Sequence, residues 1–69
     1  MMKEIFEGWI ARDKDGDCCV YEEKPERRYD IEMWYDGHRI FAFVNKDVLP
    51  DITWDTEPRK VKITIETID

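Results

Sequence analysis

Ile5-Phe6-Glu7-Gly8-Trp9-Ile10-Ala11-Arg12, then Asp13-Lys14-Asp15-Gly16, then Asp17-Cys18-Cys19-Val20-Tyr21-Glu22-Glu23: two extended runs flank a tight turn, and their reading decides the fold. Asp15-Gly16 supplies the positive φ values that a hairpin turn requires. Side chains on a strand alternate between faces, so Trp9 and Ala11 share one face of the first run, with Ile10 and Arg12 on the other. On the second run Cys19 and Tyr21 lie opposite Cys18, Val20 and Glu22. The adjacent cysteines therefore point away from each other and form no disulfide framework. A metal site would need further soft or imidazole ligands than His38 alone provides, so none is expected.

Working outward, Pro25 ends the second run because it has no amide hydrogen for a ladder. Tyr29 to Tyr35 reads as a third extended run. Asp36-Gly37 repeats the turn chemistry, and His38 to Val44 returns through Ile40, Phe41, Ala42, Phe43 and Val44. Asn45 and Asp47 can cap one short helical turn that Pro50 closes, and Asp51 to Trp54 adds a few extended residues. At the far end Val61, Ile63 and Ile65 alternate with Lys60, Lys62, Thr64 and Glu66, the pattern of a half-buried antiparallel strand. The expected architecture is one mainly β domain over residues 1–69, a small antiparallel sheet or partly open barrel of about five strands with at most one short helix. The alternative is a compact α+β domain whose helix runs from Tyr29 to Tyr35, where Ile31, Trp34 and Tyr35 also fit a helical face.

Composition narrows the function classes. The chain has 69 residues, 42% apolar and 41% charged, so a small core must sit under a densely charged surface, and oligomerisation is a natural supplement. The net charge of −6 comes from interleaved signs, as in Lys24-Pro25-Glu26-Arg27-Arg28-Tyr29-Asp30. Duplex nucleic acid needs a net basic face and is not an expected partner. The mixed signs also weigh against a nucleic-acid mimic. No apolar run has membrane-spanning length and the start does not read as a signal peptide, so a cytoplasmic location away from membranes is expected.

Catalysis has little to work with. Serine and glutamine are missing, His38 is the only histidine, and the two cysteines have no nucleophile signature around them, so no enzyme, catalytic residue or cofactor is expected. Asp13, Asp15 and Asp17 imitate the opening of a calcium loop. The rest of that loop is absent, because Cys18 and Lys24 stand where a glycine and a bidentate glutamate belong. Arginines and aromatics remain: Trp9, Arg12, Arg28, Trp34 and Arg39 are the candidate contacts for a small anionic nucleotide, with guanidinium groups on phosphate and indoles for stacking. Trp34 stands nearest the basic residues and is the tryptophan expected to report function. The same residue types also anchor protein interfaces.

The run Gly8-Trp9-Ile10-Ala11-Arg12-Asp13-Lys14-Asp15-Gly16, with Val20-Tyr21 and Lys24-Pro25, resembles the opening of a group of short uncharacterised proteins of bacterial prophages and gut bacteriophages. Leu49-Pro50-Asp51-Ile52-Thr53-Trp54, Glu57-Pro58 and the alternating terminal strand are similar to that group's closing half. The resemblance implies an accessory or counter-defence binding protein. Two forms are expected from it: a homo-oligomeric sponge that sequesters a nucleotide immune signal, or an inhibitor that presents a sheet edge or aromatic patch to a host enzyme.

Overall fold

The structure is a computed structural model that describes residues 2–36 and 40–69. It is all-β. Strand β1 (Lys3–Arg12) runs through the middle of a four-stranded antiparallel sheet, between β2 (Cys18–Tyr21) and β6 (Arg59–Glu66). Strand β5 (Ile40–Val44) pairs with the other side of β2, giving the order β5-β2-β1-β6. Strands β3 (Glu26–Arg28) and β4 (Met33–Tyr35) form a separate two-stranded ribbon. The sheet is open, so of the two expected forms it takes the antiparallel sheet and not the barrel.

The β1–β2 hairpin forms where its turn chemistry places it. Gly16 takes φ +101°, its amide donates to the Asp13 carbonyl at 3.0 Å, and the Asp13 amide donates to the Asp17 carbonyl at 2.8 Å. The Asp15 carboxylate accepts from the Asp17 amide at 2.9 Å, a local bond that Asp favours in turns. Register then sets Trp9 beside Tyr21, Ile10 beside Val20, Ala11 beside Cys19 and Arg12 beside Cys18. Gly8 has a different task. A Cβ there would lie 2.7 Å from the Tyr21 carbonyl oxygen and 3.2 Å from Ile63 Cδ1, so only glycine lets β1 pass the end of β2.

Alternation makes both sheet faces apolar near the centre. On one face Ile10, Cys18 and Val20 pack with Val44, Val61 and Ile63 and receive Ile52 from the loop after β5. On the other, Ala11, Cys19 and Tyr21 pack with Trp34 from the ribbon and Trp54 from the loop before β6. The two cysteines are thus free, buried and split between the clusters. Ile52 is 1% exposed, and full burial of such a side chain contributes about 1.5–3 kcal/mol.

Three expectations need correction. The Tyr29 to Tyr35 segment is neither one strand nor a helix: Tyr29–Glu32 is the turn between β3 and β4, and Glu32 adopts φ +57°. The unexpected β3 follows directly after Pro25, which raises the strand number to six. The Asn45 to Pro50 segment makes the expected single turn, with the Val48 amide on Asn45 O at 3.0 Å, but it does not grow into a helix, because Leu49 then turns to φ +48°, a conformation that breaks a right-handed helix. Asp51 to Trp54 pairs with no strand; a Thr53–Thr56 turn occupies it, closed by Thr56 N to Thr53 O at 3.2 Å. Among the described residues there is no helix long and apolar enough to cross a membrane.

Candidate functional site

Among the described residues, the sequence-predicted contacts Trp9, Arg12, Arg28 and Trp34 do not gather their side chains into one pocket. Arg12 lies on the Ile52 face of the sheet, where its guanidinium donates to four main-chain carbonyls: Ile52 at 2.6 Å, Gly16 at 2.8 Å, Val48 at 2.8 Å and Lys46 at 3.0 Å. The fork that suits a phosphate is here spent on fastening the 45–52 loop to the sheet. Arg28 sits on the exposed ribbon, bonded through two nitrogens to Asp30 at 3.3 and 3.2 Å and 5.9 Å from the Tyr35 ring centre. Arg39 and His38 lie outside the described residues.

Trp34 is a core residue by its geometry. It is 5% exposed, its main-chain amide donates to Asp13 Oδ1 at 2.9 Å, and its indole Nε1 donates to the Arg12 carbonyl at 2.8 Å. Its ring meets Trp54 edge-on at 5.8 Å. Arg27 covers this pair, 4.6 Å from the Trp34 centroid, 5.3 Å from Trp54 and 5.7 Å from Tyr29, and donates to the carbonyls of Trp54 at 2.9 Å and Thr56 at 3.2 Å. That cage is occupied by the chain's own cation. Trp9 is half-buried on the same sheet face, with Lys24 and Lys60 at 5.5 and 5.8 Å from its ring.

Three ionisable side chains, those of Asp13, Cys18 and Cys19, are buried near this core. Burial is the main force pushing the Asp13 carboxyl above its ordinary range, reinforced by Asp15 and Asp17 and opposed by the Trp34 amide. Burial likewise raises the Cys18 thiol, and it raises Cys19 to about 11. Neither sulfur is a thiolate near neutral pH, so neither is an activated nucleophile. Sequence alone marks Asp13 only as a turn residue. Its inward carboxylate joins the turn to the ribbon, together with the Lys14 amide on the Glu32 carbonyl at 3.3 Å and the Lys14–Glu32 ion pair at 2.8 Å.

The depressions that the fold leaves open are of two kinds: a polar one of about 400 Å³ lies between Lys24, Glu26, Arg27, Trp34 and Glu57 on the ribbon side, and others are mainly apolar. A groove of about 360 Å³ runs over the sheet face between Ile10, Val20, Ala42, Val44, Val61 and Ile63, with Leu49 of the loop beside it. No family model, curated protein or solved structure matches the chain. Across the sheet from the groove, a second depression of about 360 Å³ lies between Ile31, Met33, Tyr35 and Ile40. Strand β5 separates the two. Its sequence, Ile40-Phe41-Ala42-Phe43-Val44, carries no charge in a chain that is 41% charged. That contrast is visible in the sequence, where the segment reads simply as an apolar return run.

Proposed function

We propose that this chain is a non-catalytic protein-binding module that recognises its partner through the apolar groove of the open sheet face. The observation that carries the reading is the groove itself, mainly apolar with Lys62 and Thr64 at its β6 side, and neighboured by exposed Val48, Leu49, Phe6 and Ile65. Apolar surface rimmed by polar residues is the kind of surface on which protein partners dock. The resemblance to phage accessory proteins supplies a setting, in which the partner is a bacterial host protein and binding blocks it.

Capture of a nucleotide signal has less behind it. It asks for arginines converging on an aromatic-lined pocket, whereas Arg12 is engaged by carbonyls, Arg27 by carbonyls and rings, and Arg28 by Asp30. The test is an affinity capture from bacterial lysate with the native chain and with Leu49→Glu and Ile65→Glu, both exposed positions. One host protein should co-purify with the native chain and be lost with both variants while their thermal melts stay unchanged. A saturable thermal shift with cyclic nucleotides or ADP-ribose derivatives, alongside capture that the variants do not affect, would sink the proposal.

A further inference from the structure

The two edges of the four-stranded sheet are unlike. Outer strand β6 is long but carries Arg59, Lys60, Lys62 and Glu66, charges that discourage another strand from pairing. Outer strand β5 has no charged residue, no proline and no glycine. It is also open to solvent: Phe43 is 73% exposed, and Ile40 and Ala42 are exposed as well. A register shift between Val20 and Tyr21 leaves the Ala42–Val44 portion in regular pairing with β2, Val20 beside Ala42, Cys19 beside Phe43 and Cys18 beside Val44. This straight stretch is the form a further strand can join.

We propose that β5 pairs with β5 of a second copy of this chain, antiparallel about a two-fold axis at Phe43, so that two four-stranded sheets become one. Four features select a second copy. A neutral strand is matched by a neutral strand, and the other edge of this sheet, β6, would set lysines against Phe43 and Ala42. A β5–β6 contact would also be head-to-tail, leaving a free β5 edge at one end of a pair and a free β6 edge at the other, whereas β5–β5 closes on itself. With Phe43 on the axis, Ala42 lies across from Val44 of the second copy, and both line the groove, so the two grooves become continuous. The single chain has a small core, with only eight buried apolar residues among those described, and sheet extension adds the pairing and packing that it lacks.

Sedimentation velocity over a wide range of concentration tests this. The native chain should run as a dimer, and Phe43→Lys as a monomer with an unchanged far-ultraviolet circular dichroism spectrum, since the replaced side chain lies in solvent. Lys62→Glu on the opposite edge should leave the dimer intact. Phe43→Cys, mildly oxidised, should give a covalent dimer on a non-reducing gel, because the native thiols are buried and the axis places the new ones together. A native chain that stays monomeric at every concentration, a dimer that survives Phe43→Lys, a dimer lost with Lys62→Glu, or no crosslink from Phe43→Cys would each overturn the proposal. The protein-binding reading is separate from this result: a monomer that still captures its partner refutes the dimer alone, and a dimer that captures nothing refutes the other.

Discussion

Replacing Arg12 by lysine keeps the positive charge and removes the fork, and it should cost about 2 kcal/mol of unfolding free energy. Of the four carbonyls that Arg12 holds, those of Lys46 and Val48 are in exposed bonds and can be rehydrated when the guanidinium is gone. Those of Ile52 and Gly16 are part-buried, so each loses about 1–1.5 kcal/mol, the net value of a hydrogen bond that water replaces poorly. A lysine ammonium recovers at most a fraction of this, because its donors do not diverge in a plane toward two segments of chain. For 69 residues the whole stability is roughly 3–10 kcal/mol, so the loss is easily measured.

The same substitution should act locally before it acts globally. Ile52 is buried on the sheet by the loop that Arg12 fastens, and releasing the loop gives up that burial. Urea unfolding at neutral pH should show the lower midpoint, and hydrogen exchange should show faster exchange first at the Val48 and Ile52 amides, which close the loop's own turns. Ile52→Ala alone should cost about 2–5 kcal/mol, and combined with Arg12→Lys it should cost less than the sum, because both changes detach one loop. Strict additivity, or an Arg12→Lys midpoint equal to the native one, would refute the clamp and return Arg12 to the group of free cations.

Three further outcomes follow from the packing. Gly8→Ala places a methyl group 2.7 Å from the Tyr21 carbonyl, a main-chain atom that cannot swing aside, and should lower stability by about 1–3 kcal/mol in urea; an unchanged midpoint would show that β1 can shift without cost. For Asp13 the folded carboxyl titrates above its unfolded value of 3.8, so its contribution to stability is fully present below that pH and is lost as pH rises through the folded value. Asp13→Asn, which can still accept from the Trp34 amide, should therefore gain on the native chain as pH rises from below 3.8 through the folded carboxyl's raised value. Asp13→Ala instead orphans that buried amide and should cost about 1–3 kcal/mol at neutral pH; a pH-independent gap between the Asn and native chains would contradict this account. Cys18 and Cys19 should resist a thiol reagent at neutral pH until denaturant unfolds the chain, and rapid labelling of either in the native state would show that the sheet faces open.

Much of the architecture is legible in the sequence, for a physical reason that also explains what is not. The β1–β2 hairpin and β6 are specified by local chemistry, an Asp-Gly turn in one case and strict alternation in the other, and both stand as expected. The ribbon is not local in this sense. Whether Tyr29–Glu32 continues a strand or reverses it depends on the Asp13 carboxylate and the Lys14–Glu32 contacts, which come from a turn far back in the chain. The 45–52 loop likewise owes its path to Arg12, so its capping residues close simple turns instead of starting a helix. The sequence shows that the arginines are cations but not where their donors go, because Arg12 and one nitrogen of Arg27 donate to main-chain carbonyls, which leave no trace in residue identity.

That engagement changes what the charged surface can do. Arg12 and Arg27 hold the loop segments around Ile52 and Trp54, which no strand pairing secures, and a ligand that took either fork would have to release a loop. Recognition at those cations would therefore be opposed by the stability of the domain, which is small to begin with. The uncharged β5 end carries no such penalty. Ile40, Ala42 and Phe43 already face solvent, and an exposed apolar edge strand is itself an aggregation hazard that natural sheets blunt with lysine, as β6 does here. A chain that is 41% charged and keeps all of that charge off one five-residue edge would gain stability there by being covered, and a partner at this end would bind at the least cost to the fold.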